Sequence, residues 1–62
     1  MAATRYSRIR SGAIRWCEAY AGEPMPTEAK RAISEYVRGM TRYDQVSEAA
    51  LKSIAAPYRK PF

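Results

Sequence analysis

No α-helix runs through Gly22-Glu23-Pro24-Met25-Pro26. Proline lacks the amide hydrogen that a helix interior needs, and each proline biases the residue before it toward extended backbone. A glycine ahead of them is a helix stop. The stretch therefore cuts a chain of 62 residues into pieces that are too short to be stable alone, so they must pack on one another.

Apolar residues on either side of that break recur at helical spacing. From about Arg5 to Ala21, the residues Tyr6, Ile9, Ala13, Trp16, Cys17 and Tyr20 return at steps of three and four, which is one helical face. Thr4 or Ser7 is placed to cap the start, and Gly22 follows the end. Gly12 lies inside the pattern at a cost of about 1 kcal/mol relative to alanine, and either makes room for a close neighbour or is simply tolerated. A second face, Ala29, Ala32, Ile33, Tyr36, Val37 and Met40, predicts a helix over 27–40 with Thr27 as its cap. Tyr43, Val46, Ala50, Leu51 and Ile54 predict a third helix over 43–56. Thr41 and Asp44 have the spacing of a capping box, and Ser47 is a competing start. Pro57 stops the pattern and leaves a short basic tail, 57–62, whose Tyr58 and Phe62 are placed to fold back. Alternation at period two is absent. The expected fold is all-α: one compact three-helix domain spanning 1–62, with helices over about 5–21, 27–40 and 43–56.

A domain of this size buries only about 60% of the surface its unfolded chain exposes. Extra support from a disulfide, a metal or self-association is common at this size. Cys17 is the lone cysteine and no histidine is present, so neither an internal disulfide nor a zinc site is expected. That leaves a partner or a homo-oligomer as added support. No cofactor is expected either, since so small a core leaves no room for a cleft beside it.

The same inventory argues against catalysis. The commonest general base is missing, the glycines stand alone, and no two acids are spaced to share a proton. Cys17 falls on the apolar face, where a thiol is packing and not a nucleophile. A lone thiol suits a reducing compartment, and no apolar run approaches the roughly 18 residues of a membrane span. A cytoplasmic protein with no small-molecule substrate and no membrane partner is expected. The Arg-rich, acid-free start also has the composition of a mitochondrial transit peptide, but removing it would leave too little chain for a core.

The charge distribution carries the functional signal. The net charge is +5, and residues 1–17 hold Arg5, Arg8, Arg10 and Arg15 with no acid among them. Elsewhere, cations have acids at helical spacing: Arg31 between Glu28 and Glu35, Arg38 after Glu35, Lys52 after Glu48. Such pairs contribute about 0.2–0.5 kcal/mol each. Arg15 has Glu18, but Arg5, Arg8 and Arg10 have no acid within four residues. They also lie in the early turns, where the helix dipole disfavours a cation by about 0.3–1 kcal/mol. An arrangement unfavourable to the isolated helix points to a counter-charge outside it. At 100° per residue, Arg8, Ser11 and Arg15 share the side away from the apolar stripe. Arg5 and Arg10 sit at its two edges, and Ile14 points partly outward beside Arg10. Arg59 and Lys60 add positive charge in the tail.

A membrane-surface helix also has an Arg-rich polar face with Trp16 on the apolar side, but two further amphipathic helices argue that this apolar face serves a core. Two other partners suit the strip. One is an acidic protein surface, which guanidinium groups bind bidentately. Small chains without catalytic parts are often inhibitors or adaptors, a style common among phage-encoded proteins that disable host nucleic-acid machinery, anti-CRISPR proteins included; this is an analogy of size and composition. The other is DNA or RNA held through its phosphates. Gly39-Met40-Thr41 has the order of a helix-turn-helix turn, but Glu35 stands where a small residue is usual and the flanking apolar positions are one step out of phase. The protein partner is therefore preferred. The expected contact residues are Arg5, Arg8, Arg10, Ser11, Ile14, Arg15, Arg59 and Lys60.

Overall fold

The computed structural model describes residues 4–59. Three helices pack around one apolar seam: α1 (Arg5–Ala21), α2 (Thr27–Val37) and α3 (Glu48–Ala55). Among the described residues there is no strand. α1 packs on both α2 and α3, which also touch each other. The seam comes from steps of four residues. Ile9, Ala13, Cys17 and Ala21 line it from α1, Ala29, Ile33 and Val37 from α2, and Leu51 and Ala55 from α3. Four of these nine side chains are alanines, so the core is small.

α1 begins where Thr4 Oγ1 accepts the Ser7 amide at 3.0 Å. It ends at Gly22, whose φ of 78° is left-handed, a conformation that glycine adopts without a Cβ penalty. The proline segment is pinned by Met25, which is buried in the core and whose amide donates to Glu18 Oε2 at 3.0 Å. α2 starts one residue earlier in its capping than the sequence suggests. The Lys30 amide bonds Pro26 O at 3.0 Å, so the first turn already closes over Thr27, which is helical and caps nothing.

The later boundaries differ more. α2 stops at Val37 and not at residue 40, because Gly39 turns left-handed with φ 86° and takes the chain out of the helix. The third segment is not one helix. Gln45 Oε1 accepts the amides of Thr41 and Arg42 at 2.8 and 3.0 Å, which closes a separate 3-10 turn, Tyr43–Gln45. Asp44 pairs with Arg42 at 2.6 Å instead of capping. Ser47 precedes α3, its amide donating to Tyr36 Oη at 2.8 Å. Pro57 lies within a final 3-10 turn, Ala56–Tyr58, and Tyr58 packs against the core. Phe62 is outside the described residues.

Three expected core residues lie elsewhere. Tyr6 is 39% exposed and Tyr43 46%, while Ala32 is exposed on α2. Tyr6 has the right helical phase, but phase does not say whether a neighbour covers that turn of α1. Trp16 is half-buried: it flanks the core and stacks on Tyr20 with centroids 5.5 Å apart and planes at 17°. Replacing a fully buried tryptophan by alanine costs about 3–5 kcal/mol. For this half-buried ring we expect Trp16→Ala to cost about 2 kcal/mol in a urea melt. An unmoved midpoint would mean that the ring contributes nothing to the fold.

Candidate functional site

The arginines of α1 divide into two groups. Arg5, Arg8 and Arg15 are exposed, and Ser11 is exposed with them. Among the described residues, none of the three arginines has a carboxylate within 4.0 Å. Glu18, the acid nearest Arg15 in sequence, is turned to the Met25 amide. The contrast with the rest of the chain is narrower than the spacing suggests. Arg38–Glu35 forms a loose pair at 3.9 Å, whereas neither Arg31 nor Lys52 closes an ion pair among the described residues, although acids lie within one turn of each.

Arg10 lies on the opposite edge of α1 and is half-buried. Its Nε donates to Ser34 Oγ at 2.6 Å, and that hydroxyl donates to Lys30 O at 2.8 Å. Arg10 thus ties α1 to α2. Ile14 is half-buried against the core on that same edge. The expected single strip is therefore one free side, Arg5, Arg8, Ser11 and Arg15, and one occupied side, Arg10 and Ile14.

The tail does not extend the strip toward the start of α1. The Arg59 guanidinium lies 4.8 Å from the centre of the Tyr20 ring and its Nη1 donates to Tyr20 Oη at 3.4 Å. Tyr20 is twelve residues beyond Arg8, about 18 Å along the helix axis at the usual rise. Lys60 lies outside the described residues.

Two residues not anticipated as contacts complete the free side. Thr41 and Tyr43 face Arg5, Arg8 and Ile9 across a groove of about 210 Å³. Tyr43 reaches this position because Gly12 has no side chain: a Cβ on Gly12 would lie 2.8 Å from Tyr43 Cε2. That close approach gives Gly12 its physical reason, and the glycine inside a helix was the only local hint of it.

Cys17 has no accessible surface, and its thiol donates to Leu51 O at 3.7 Å, joining α1 to α3. Burial pushes the thiol pKa up from its ordinary 9.0, and the Glu18 charge adds to the rise. A raised acid pKa in the fold has a definite sign. Below pH 9 both states are protonated and stability is unaffected. Above it the unfolded thiol ionises first, so stability falls as pH rises, by at most about 1.4 kcal/mol per unit, until the pH reaches the raised pKa of the folded thiol. The parent should lose stability relative to Cys17→Ala above pH 9, with parallel behaviour below pH 8, in chemical melts across that range. The native thiol should also resist a disulfide reagent until the chain unfolds.

Among the described residues no cluster of histidine, cysteine or acid can hold a metal, and no helix is long and apolar enough to cross a membrane. Ile9, Ala13, Cys17 and Ala21, the centre of the apolar face that a membrane-surface helix would need, are buried in the core. The connection between α2 and α3 runs over residues 38–47 and contains its own 3-10 turn, far longer than the three or four residues of a helix-turn-helix. No family model, no curated protein and no solved structure matches this chain.

Proposed function

We propose that this chain is a non-enzymatic binding protein that docks the free arginine side of α1 on an acidic protein surface in the cytoplasm, as an inhibitor or adaptor does. One observation carries the reading: Arg5, Arg8 and Arg15 are exposed, and among the described residues no carboxylate of the fold reaches them. Arginine on a rigid helix suits bidentate contact with carboxylates at little ordering cost. The three-helix body holds that helix from behind.

The competing partner is single-stranded DNA or RNA, favoured by the exposed Tyr43 ring beside Arg5 and Arg8, since cation plus stacking platform is how such strands are bound. The long connection between α2 and α3 removes the helix-turn-helix argument for a duplex. Immobilised parent and Arg8→Glu/Arg15→Glu chains distinguish the partners. The expected result is one protein retained by the parent, lost by the variant, and still retained after nuclease treatment. Retention that nuclease abolishes, with affinity falling log-linearly in salt, would assign the strip to nucleic acid.

A further inference from the structure

We infer that the groove between α1 and the Thr41–Tyr43 segment receives one apolar side chain of an acidic partner segment, whose carboxylates lie on Arg5 and Arg8; this rests on the protein-docking reading above. The groove is lined by Arg5, Arg8, Ile9, Thr41 and Tyr43 and holds about 210 Å³. Pockets for cofactors and drug-sized ligands run to about 300–1,000 Å³. A cavity of about 150 Å³ takes a benzene ring. The volume therefore matches a single ring or branched aliphatic side chain.

The lining chemistry selects among such groups. Ile9 and the Tyr43 ring supply its apolar walls. The amides of Thr41 and Arg42 are already given to Gln45 Oε1. Apart from the guanidiniums of Arg5 and Arg8, the side chains offer only the Thr41 and Tyr43 hydroxyls. A nucleobase brings several ring donors and acceptors, and leaving those unpaired is costly. A hydrocarbon side chain brings none. Arg5 and Arg8, with no carboxylate within 4.0 Å among the described residues, require that the segment carrying it be acidic. Gly12 sets the shape, because the Tyr43 ring lies where a Cβ would lie.

The probes are three: an acidic pentapeptide with a central phenylalanine, the same peptide with a central glycine, and a short single-stranded thymidine oligonucleotide. Each is titrated into the full ¹⁵N-labelled chain to millimolar concentration. The phenylalanine peptide is expected to shift the amides of Ile9, Gly12 and Tyr43 and to bind about tenfold more tightly than the glycine peptide. Gly12→Ala, which favours the helix, should displace the ring and erase that preference. Tyr43→Ala should do the same by removing the wall, with the helical circular dichroism of both variants intact.

Equal affinity for the two peptides, with shifts confined to the Arg5, Arg8 and Arg15 region, would overturn the groove and leave the docking strip standing. No shift from either peptide would overturn both. Shifts at Ile9 and Tyr43 from the oligonucleotide and not from the phenylalanine peptide would overturn the inference in favour of a nucleobase.

Discussion

A chain carrying Arg8→Glu and Arg15→Glu is expected to bind its partner at least about 100-fold more weakly while melting no earlier than the parent. Each tenfold loss is about 1.4 kcal/mol, so the binding change is about 2.7 kcal/mol or more. Reversing two charges replaces two attractions with two repulsions, and like charges brought together at an interface cost several kcal/mol. The folding effect has the opposite tendency. α1 has no acid in its first turn. A glutamate at position 8 lies near the positive end of the dipole, where an acid gains a few tenths of a kcal/mol once solvent screening is counted. One at position 15 faces Glu18 three residues on, a like-charge spacing that costs about the same. Binding by titration and melting by circular dichroism separate the two effects. Unchanged binding would mean that these arginines are only the wet side of a helix.

Ile33→Ala should come close to unfolding the domain. Ile33 has no accessible surface and is the largest fully buried side chain on α2, midway between Ala29 and Val37. Truncating a buried isoleucine costs about 2–5 kcal/mol, and the upper half of that range applies where the site cannot collapse. Four of the ten residues of the core are alanines, whose short side chains cannot swing into the space. Total stability for a chain of this length is about 3–9 kcal/mol. A loss of about 3.5–5 kcal/mol lowers the melting temperature by about 14–40 °C. Ala32, one residue away and exposed, is the control: Ala32→Lys should stay within about 0.5 kcal/mol. Similar small shifts at both positions would overturn the seam described for α2.

Ala32 also marks how far periodicity alone reaches. A helical wheel groups it with Ile33 and Val37, because the wheel gives direction around an axis and not the width of the neighbour facing it. α1 and α3 cover a stripe one residue wide at four-residue steps, and Ala32 falls outside it. Tyr6 fails for a related reason, since phase says nothing about which turns of a helix its neighbours cover. The third segment fails at its start because Gln45, not Thr41 or Asp44, supplies the acceptor: it takes the amides of Thr41 and Arg42 and closes a separate 3-10 turn. A side chain reaching back to two amides leaves no periodic trace.

The candidate site was legible as charge and illegible as shape. Arg5, Arg8 and Arg15 stand out in sequence because helix electrostatics is local: carboxylates within one turn can be counted along the chain. Arg10 stood out equally, yet its partner Ser34 lies 24 residues away on α2. Thr41 and Tyr43 are brought to α1 only by the packing of the α2–α3 connection.

The amino-acid sequence determined the number of helices, the break at Gly22–Pro26, the burial of Ile9, Ala13, Cys17, Ile33, Val37 and Leu51, and the acid-free stretch of α1. All of these follow from backbone chemistry, helical period and charge within one turn. Only the tertiary structure decided which arginines remain free, why Gly12 is a glycine, and that a groove opens beside Arg5 and Arg8. Those depend on contacts between residues far apart in the chain, whose distances are set when the three helices pack.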